Sequence, residues 1–121
     1  MSNTIETLLL RNLRDVFGEA DSERRRSAIE ALYCADCVVN LPPGQYHGHD
    51  ALQRIAGKLR ASHPDYVYTP HSAPQVVQDG GRIDWGSGPE GEPPRYTGID
   101  IIIARDEKIS ALYVFLDSEP V

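Results

Sequence analysis

The stretch from Tyr96 to Asp117, YTGIDIIIARDEKISALYVFLD, decides how the rest of the chain is read. Apolar, largely β-branched and aromatic residues fill both sides of Asp106-Glu107, which predicts two long strands joined by a tight turn. A two-residue turn sets the register, with Arg105 expected opposite Lys108 and Asp100 opposite Tyr113. Alternation then assigns the faces. One carries Tyr96, Gly98, Asp100, Ile102, Ala104, Ile109, Ala111, Tyr113 and Phe115; the other carries Thr97, Ile99, Ile101, Ile103, Ser110, Leu112, Val114 and Leu116. Both faces are apolar, so neither is expected to stay wet. The face with Asp100 combines a carboxylate, tyrosines and small residues, which suits a pocket wall. The opposite face needs a cover, and a second copy of the chain through Ile99, Ile101, Leu112 and Val114 is the simplest one.

Upstream, Ile5, Leu8, Leu9, Asn12, Leu13, Val16 and Phe17 recur at steps of three and four and predict one amphipathic helix ended by Gly18. Asp21 or Ser22 caps a second helix bearing Ala28, Ile29, Leu32 and Tyr33. Residues 37–41 read as a short strand broken at Pro42-Pro43-Gly44. Gly48 opens a third helix with Leu52, Ile55, Ala56 and Leu59, stopped before Pro64. Tyr66–Thr69 is a strand, Gln75–Gln78 and Arg82–Gly86 a hairpin, and Gly86–Pro94 a loop. Helices first and strands last predict an α+β domain spanning residues 1–121, with helices on one face of a curved, mostly antiparallel sheet.

The composition narrows the function. A formal charge of −6 repels phosphate backbones, so nucleic acid is not an expected partner. Arg24-Arg25-Arg26 lies among Glu19, Asp21, Glu23 and Glu30 and reads as a solvated helix face. No apolar run reaches membrane-spanning length, and no signal-peptide pattern is visible, so the cytoplasm is the expected compartment. Cys34-Ala35-Asp36-Cys37 has CxxC spacing but sits at the end of a helix, where the dipole disfavours a thiolate. His47 and His49 match no common zinc spacing, so no metal and no cofactor are expected.

The helices, the Gly48-His49-Asp50-Ala51-Leu52 helix start and the closing GIDIIIARDEKISALYVFLD together resemble the nuclear transport factor 2-like superfamily, and within it the SnoaL-like group named for small polyketide cyclases. The resemblance runs from about Leu8 to Asp117 and implies a cone: a curved sheet wrapped by three N-terminal helices around an apolar pocket, usually dimeric. Ketosteroid isomerase shares that fold. Its protonated strand acid corresponds to Asp100. Its base position falls at Asn40-Leu41 and its helix-one tyrosine near Asn12 or Leu13, so two of its three functional groups are absent here. The Asp–Arg–Asp set of an epoxide-hydrolase-like site is absent too.

The candidate site residues are therefore Asp100 as an acid, Tyr113 as its hydroxyl partner, and Asn40, Trp85, Tyr96 and His63 as ligand contacts. An ionisable side chain in an apolar strand is costly to bury, which is why Asp100 heads the set. The expected ligand is a small, largely apolar molecule in the cone. The expected chemistry is cofactor-free isomerisation, cyclisation or water addition. The alternatives are a non-catalytic binding or scaffold module, or an interaction domain using Gly86–Pro94.

Overall fold

The structure, a computed structural model, describes residues 4–117. Three α-helices precede most of the strands: α1 (Ile5–Arg11), α2 (Ser22–Leu32) and α3 (Gly48–Ser62). Seven strands follow the order β1 (Tyr33–Leu41), β2 (Gly44–His47), β3 (Tyr66–Pro70), β4 (Gln75–Val77), β5 (Gly80–Pro89), β6 (Tyr96–Arg105) and β7 (Lys108–Leu116). They form one sheet in the order β2-β1-β7-β6-β5-β3, with β4 paired to β5. Among the described residues only β1 and β7 run parallel; every other pair is antiparallel. This is the α+β cone expected from the sequence. No helix among the described residues is long and apolar enough to cross a membrane.

Local chemistry accounts for most element ends. Thr4 caps α1 by accepting from the Thr7 N–H, and Asp21 caps α2 by accepting from the Arg24 N–H at 2.8 Å. Gly48 opens α3 at φ +84°, a left-handed conformation that favours glycine. The single first helix read from periodicity is two pieces: after Arg11 the chain widens into a π-helical turn, Asn12–Phe17. Wide turns of this kind are frequent at functional sites. Tyr33, read as the end of the second helix, instead begins β1 and is fully buried. The segment Gly86–Pro94, read as a loop, is β-paired as far as Pro89. Its glycines reflect close packing: a Cβ on Gly86 would lie 2.4 Å from the His71 ring, and one on Gly88 2.9 Å from the Arg95 nitrogen.

The closing hairpin departs from the expected register at one residue. The turn is at Asp106-Glu107, both with positive φ, and Arg105 does pair with Lys108. Ala104 then pairs with Ile109, but Ile103 pairs with Ala111, leaving Ser110 as a bulge. The Ser110 hydroxyl donates to the Ile103 carbonyl at 3.0 Å, and the Ala104 N–H turns away to Asp79. Beyond the bulge every β7 side chain changes face. Asp100 pairs with Val114, not Tyr113, which stands opposite Ile101. Leu112 is fully buried and Val114 and Leu116 point inward, while Tyr113 and Phe115 are exposed on the outer face. The outer apolar face is therefore Ile99, Ile101, Ile103, Tyr113 and Phe115, a correction to the Leu112 and Val114 expected there.

Candidate functional site

Asp100 is 2% exposed, on the inner face of β6 between Gly98 and Ile102. Trp85 donates its indole N–H to Oδ1 at 2.8 Å. It can do so because Gly98, its neighbour across the β5–β6 ladder, has no side chain. A Cβ there would lie 2.6 Å from the indole Cζ2. Asn12 donates its amide N–H to Oδ2 at 3.4 Å, and the Tyr33 hydroxyl donates to the Asn12 carbonyl oxygen at 2.5 Å. All four residues are buried. The π-helical turn brings Asn12 to this point, and β1 brings Tyr33.

Burial pushes the Asp100 carboxyl from 3.8 up to about 7; the Trp85 and Asn12 hydrogen bonds oppose that rise without cancelling it. Among the described residues Asp100 has no cationic partner, whereas Asp15, Asp36 and Asp50 are held low by arginines at the surface. Burial also raises the Tyr33 and Tyr68 hydroxyls, so both stay neutral donors.

Asp100 opens onto a cavity of about 300 Å³. Leu13 and Phe17 from the π-helical turn, Leu41 at the end of β1 with Pro42 and Pro43 after it, Leu59 of α3, and Val114 and Leu116 of β7 form its apolar walls. Tyr68, Trp85 and Tyr96 form the aromatic side. Tyr68 and Tyr96 each stand nearly perpendicular to the indole, with ring centroids 5.2 and 5.8 Å from it. The arrangement can hold a small apolar molecule against one carboxyl group that exchanges a proton near neutrality.

Of the residues proposed from sequence, Asp100, Trp85 and Tyr96 meet in this cavity. Tyr113 is outside it, carried to the outer face by the bulge. Asn40 is held elsewhere: its amide donates to the Leu112 carbonyl and accepts from Gln45, and it lines a shallow outer groove with Tyr113 and Phe115. His63 stacks on Tyr66 with ring centroids 4.3 Å apart and does not line the cavity. His47 and His49 bind Gln45 and the Tyr33 carbonyl respectively. Among the described residues no three His, Cys, Asp or Glu gather to hold a metal. Asn12, Tyr33 and Tyr68 were missed. Asn12 carried a legible signal, being the one amide on the apolar stripe of the first helix.

A family model described as a SnoaL-like domain matches residues 11–112. The chain belongs to the SnoaL-like domain family. Solved SnoaL-like and related structures share its fold at low identity. A SnoaL-like family protein from Agrobacterium tumefaciens strain C58 superposes with a TM-score of 0.86 at 20% identity, over 93% of this chain and 96% of that one. A nuclear transport factor 2-like protein of unknown function from Cytophaga hutchinsonii gives 0.71 at 13%, over 97% and 93%. A hypothetical protein with a ketosteroid isomerase-like fold from Catenulispora acidiphila, in complex with trimethylamine, gives 0.75 at 14%, over 98% and 91%. No curated protein matches the sequence. In this SnoaL-like domain Tyr33 reaches Asp100 through Asn12.

Proposed function

We propose that this SnoaL-like domain binds a small, largely apolar molecule in the 300 Å³ cavity and exchanges one proton with it through Asp100. The observation that carries the reading is a buried carboxyl without a counter-ion among the described residues, facing an apolar cavity and held there by Trp85 and Asn12. The cavity lies at the small end of the roughly 300–1,000 Å³ usual for ligand pockets, which favours a one- or two-ring molecule. The reaction class is cofactor-free isomerisation, cyclisation or water addition, with Asp100 as proton carrier and Tyr68 and Tyr96 as hydroxyl contacts. A protein of the same fold in complex with trimethylamine supports small-molecule binding as the role. The test is a thermal-shift and native mass-spectrometry screen of metabolites on the wild type and Asp100→Asn. Ligands whose binding is lost or weakened in the variant support the reading; a hit list indifferent to Asp100 refutes it.

A non-catalytic binder is the second reading, favoured because among the described residues Asp100 is the sole carboxylate in the cavity wall and no histidine joins it. Turnover of any binding metabolite by the wild type rejects it. We also propose a homodimer through the outer sheet face, where Phe115 is 53% and Tyr113 43% exposed beside Ile99, Ile101 and Ile103. Two buried free thiols, Cys34 and Cys37, suit the reducing cytoplasm expected from the sequence.

A further inference from the structure

The cavity holds one unpaired buried carboxylate and, among its lining residues, no lysine, arginine or histidine. Both protein groups hydrogen-bonded to Asp100 donate to it: the Trp85 indole to one oxygen and the Asn12 amide to the other. The Asn12 carbonyl oxygen is already taken by Tyr33. One donor therefore meets each carboxylate oxygen, and hydrogen bonds to the charged form favour it. What the anion lacks is a counter-charge, and the open side of the carboxylate is the side facing the cavity. That side is also aromatic. Tyr68, Trp85 and Tyr96 meet at nearly right angles there, and aromatic faces attract cations, more so where water is excluded. A negative ligand would meet Asp100 with nothing to offset the repulsion. A neutral one would leave the carboxylate uncompensated.

Resting on the reading that this cavity is the ligand site, we infer that it takes a small secondary or tertiary amine with apolar substituents. The amine is bound as its ammonium, with its N–H on Asp100 and its alkyl groups against Trp85 and the two tyrosines. The remaining walls, Leu13, Phe17, Val114 and Leu116 among them, take the rest of the molecule. The formal chain charge of −6 adds a long-range bias toward cations.

Trp85 is the chain's single tryptophan, so intrinsic fluorescence reports on this cavity. Three probes of similar size separate the possibilities: N,N-dimethylbenzylamine, its uncharged isostere isobutylbenzene, and the anion phenylacetate. At about one pH unit above the Asp100 midpoint, the amine is expected to bind at least about 10-fold more tightly than isobutylbenzene, and phenylacetate more weakly than both. In Asp100→Asn the amine is expected to bind no better than isobutylbenzene does to the same variant. The wild type gives a second readout that does not depend on the variant folding. Amine affinity is expected to fall about 10-fold when the pH is lowered to about one unit below the midpoint, and isobutylbenzene affinity to stay level. The other titratable groups facing Asp100 are the hydroxyls of Tyr33, Tyr68 and Tyr96, and they bring no positive charge to the site. Equal binding of amine and hydrocarbon overturns the amine assignment while leaving the pocket reading standing. Failure of all three probes to alter Trp85 emission overturns both.

Discussion

Replacing Asp100 by asparagine removes the one group whose protonation the fold perturbs most usefully, and the effect on stability can be worked out. In the unfolded chain the carboxyl titrates near its ordinary 3.8; in the folded protein burial moves it to about 7. Between those values the native state holds a proton that the unfolded state has lost, so stability falls as pH rises. Below 3.8 both states are protonated and the stabilising contribution is complete; above 7 it is gone. At about 1.36 kcal/mol per pH unit, the loss from one end to the other is about 4 kcal/mol. Asparagine cannot titrate. Its amide also points a donor toward donors, which costs about 1–3 kcal/mol, but that cost is the same at every pH. The measurement is urea denaturation of both proteins at intervals from about pH 4 to about pH 8. The stability of Asp100→Asn minus that of the wild type is expected to rise across this range by about 4 kcal/mol, and the variant to overtake the wild type between about pH 4.5 and about pH 6, where the gain equals that cost. The ion-paired carboxylates Asp15, Asp36 and Asp50, which lose their contribution as pH falls, are common to both proteins and cancel. Parallel curves would mean that Asp100 does not titrate in this window, and the account of the site as a desolvated acid would fall.

Three further outcomes are expected. Gly98→Ala places a methyl against the indole of Trp85 and the Phe115 carbonyl, and should cost about 1–3 kcal/mol and shift Trp85 emission; unchanged emission would show that the indole is not seated over this glycine. Asn12→Leu should cost about 1–3 kcal/mol by stranding the Tyr33 hydroxyl, and adding Tyr33→Phe should recover part of that loss in a double-mutant cycle. Additive losses would reject the Tyr33–Asn12–Asp100 chain. Phe115→Glu puts a charge on the exposed apolar face and should convert a dimer to a monomer by light scattering with folding retained; a wild type that is already monomeric would dispose of the proposed interface.

How far the site could be read in advance depended on which residue carried the information. Asp100 was legible because a charge among isoleucines contradicts its own strand, and that contradiction is local. Tyr96 followed from face alternation on β6, which is regular where it pairs with β5, and Trp85 was proposed as an aromatic wall beside the acid. Tyr113 was misplaced because alternation was carried across Ser110. A bulge spends one residue without a partner, and nothing in the local pattern of KISALYVF marks where it falls. Asn40 and His63 were drawn in by their positions along the chain, but side-chain partners in the folded protein hold them elsewhere.

Taken alone, the sequence determined the three helices, most of the strands, their order and the inward face of β6, because periodicity and the cost of burying a charge are properties of neighbours in the chain. Tertiary structure decided the rest of the closing hairpin and the company Asp100 keeps. The bulge at Ser110 selects which half of β7 faces the cavity, and the π-helical turn swings Asn12 inward to join Tyr33, 21 residues further on, to Asp100, 88 residues away. Contacts at such separations follow from how the sheet closes and the helices pack, which no local stretch of the chain encodes.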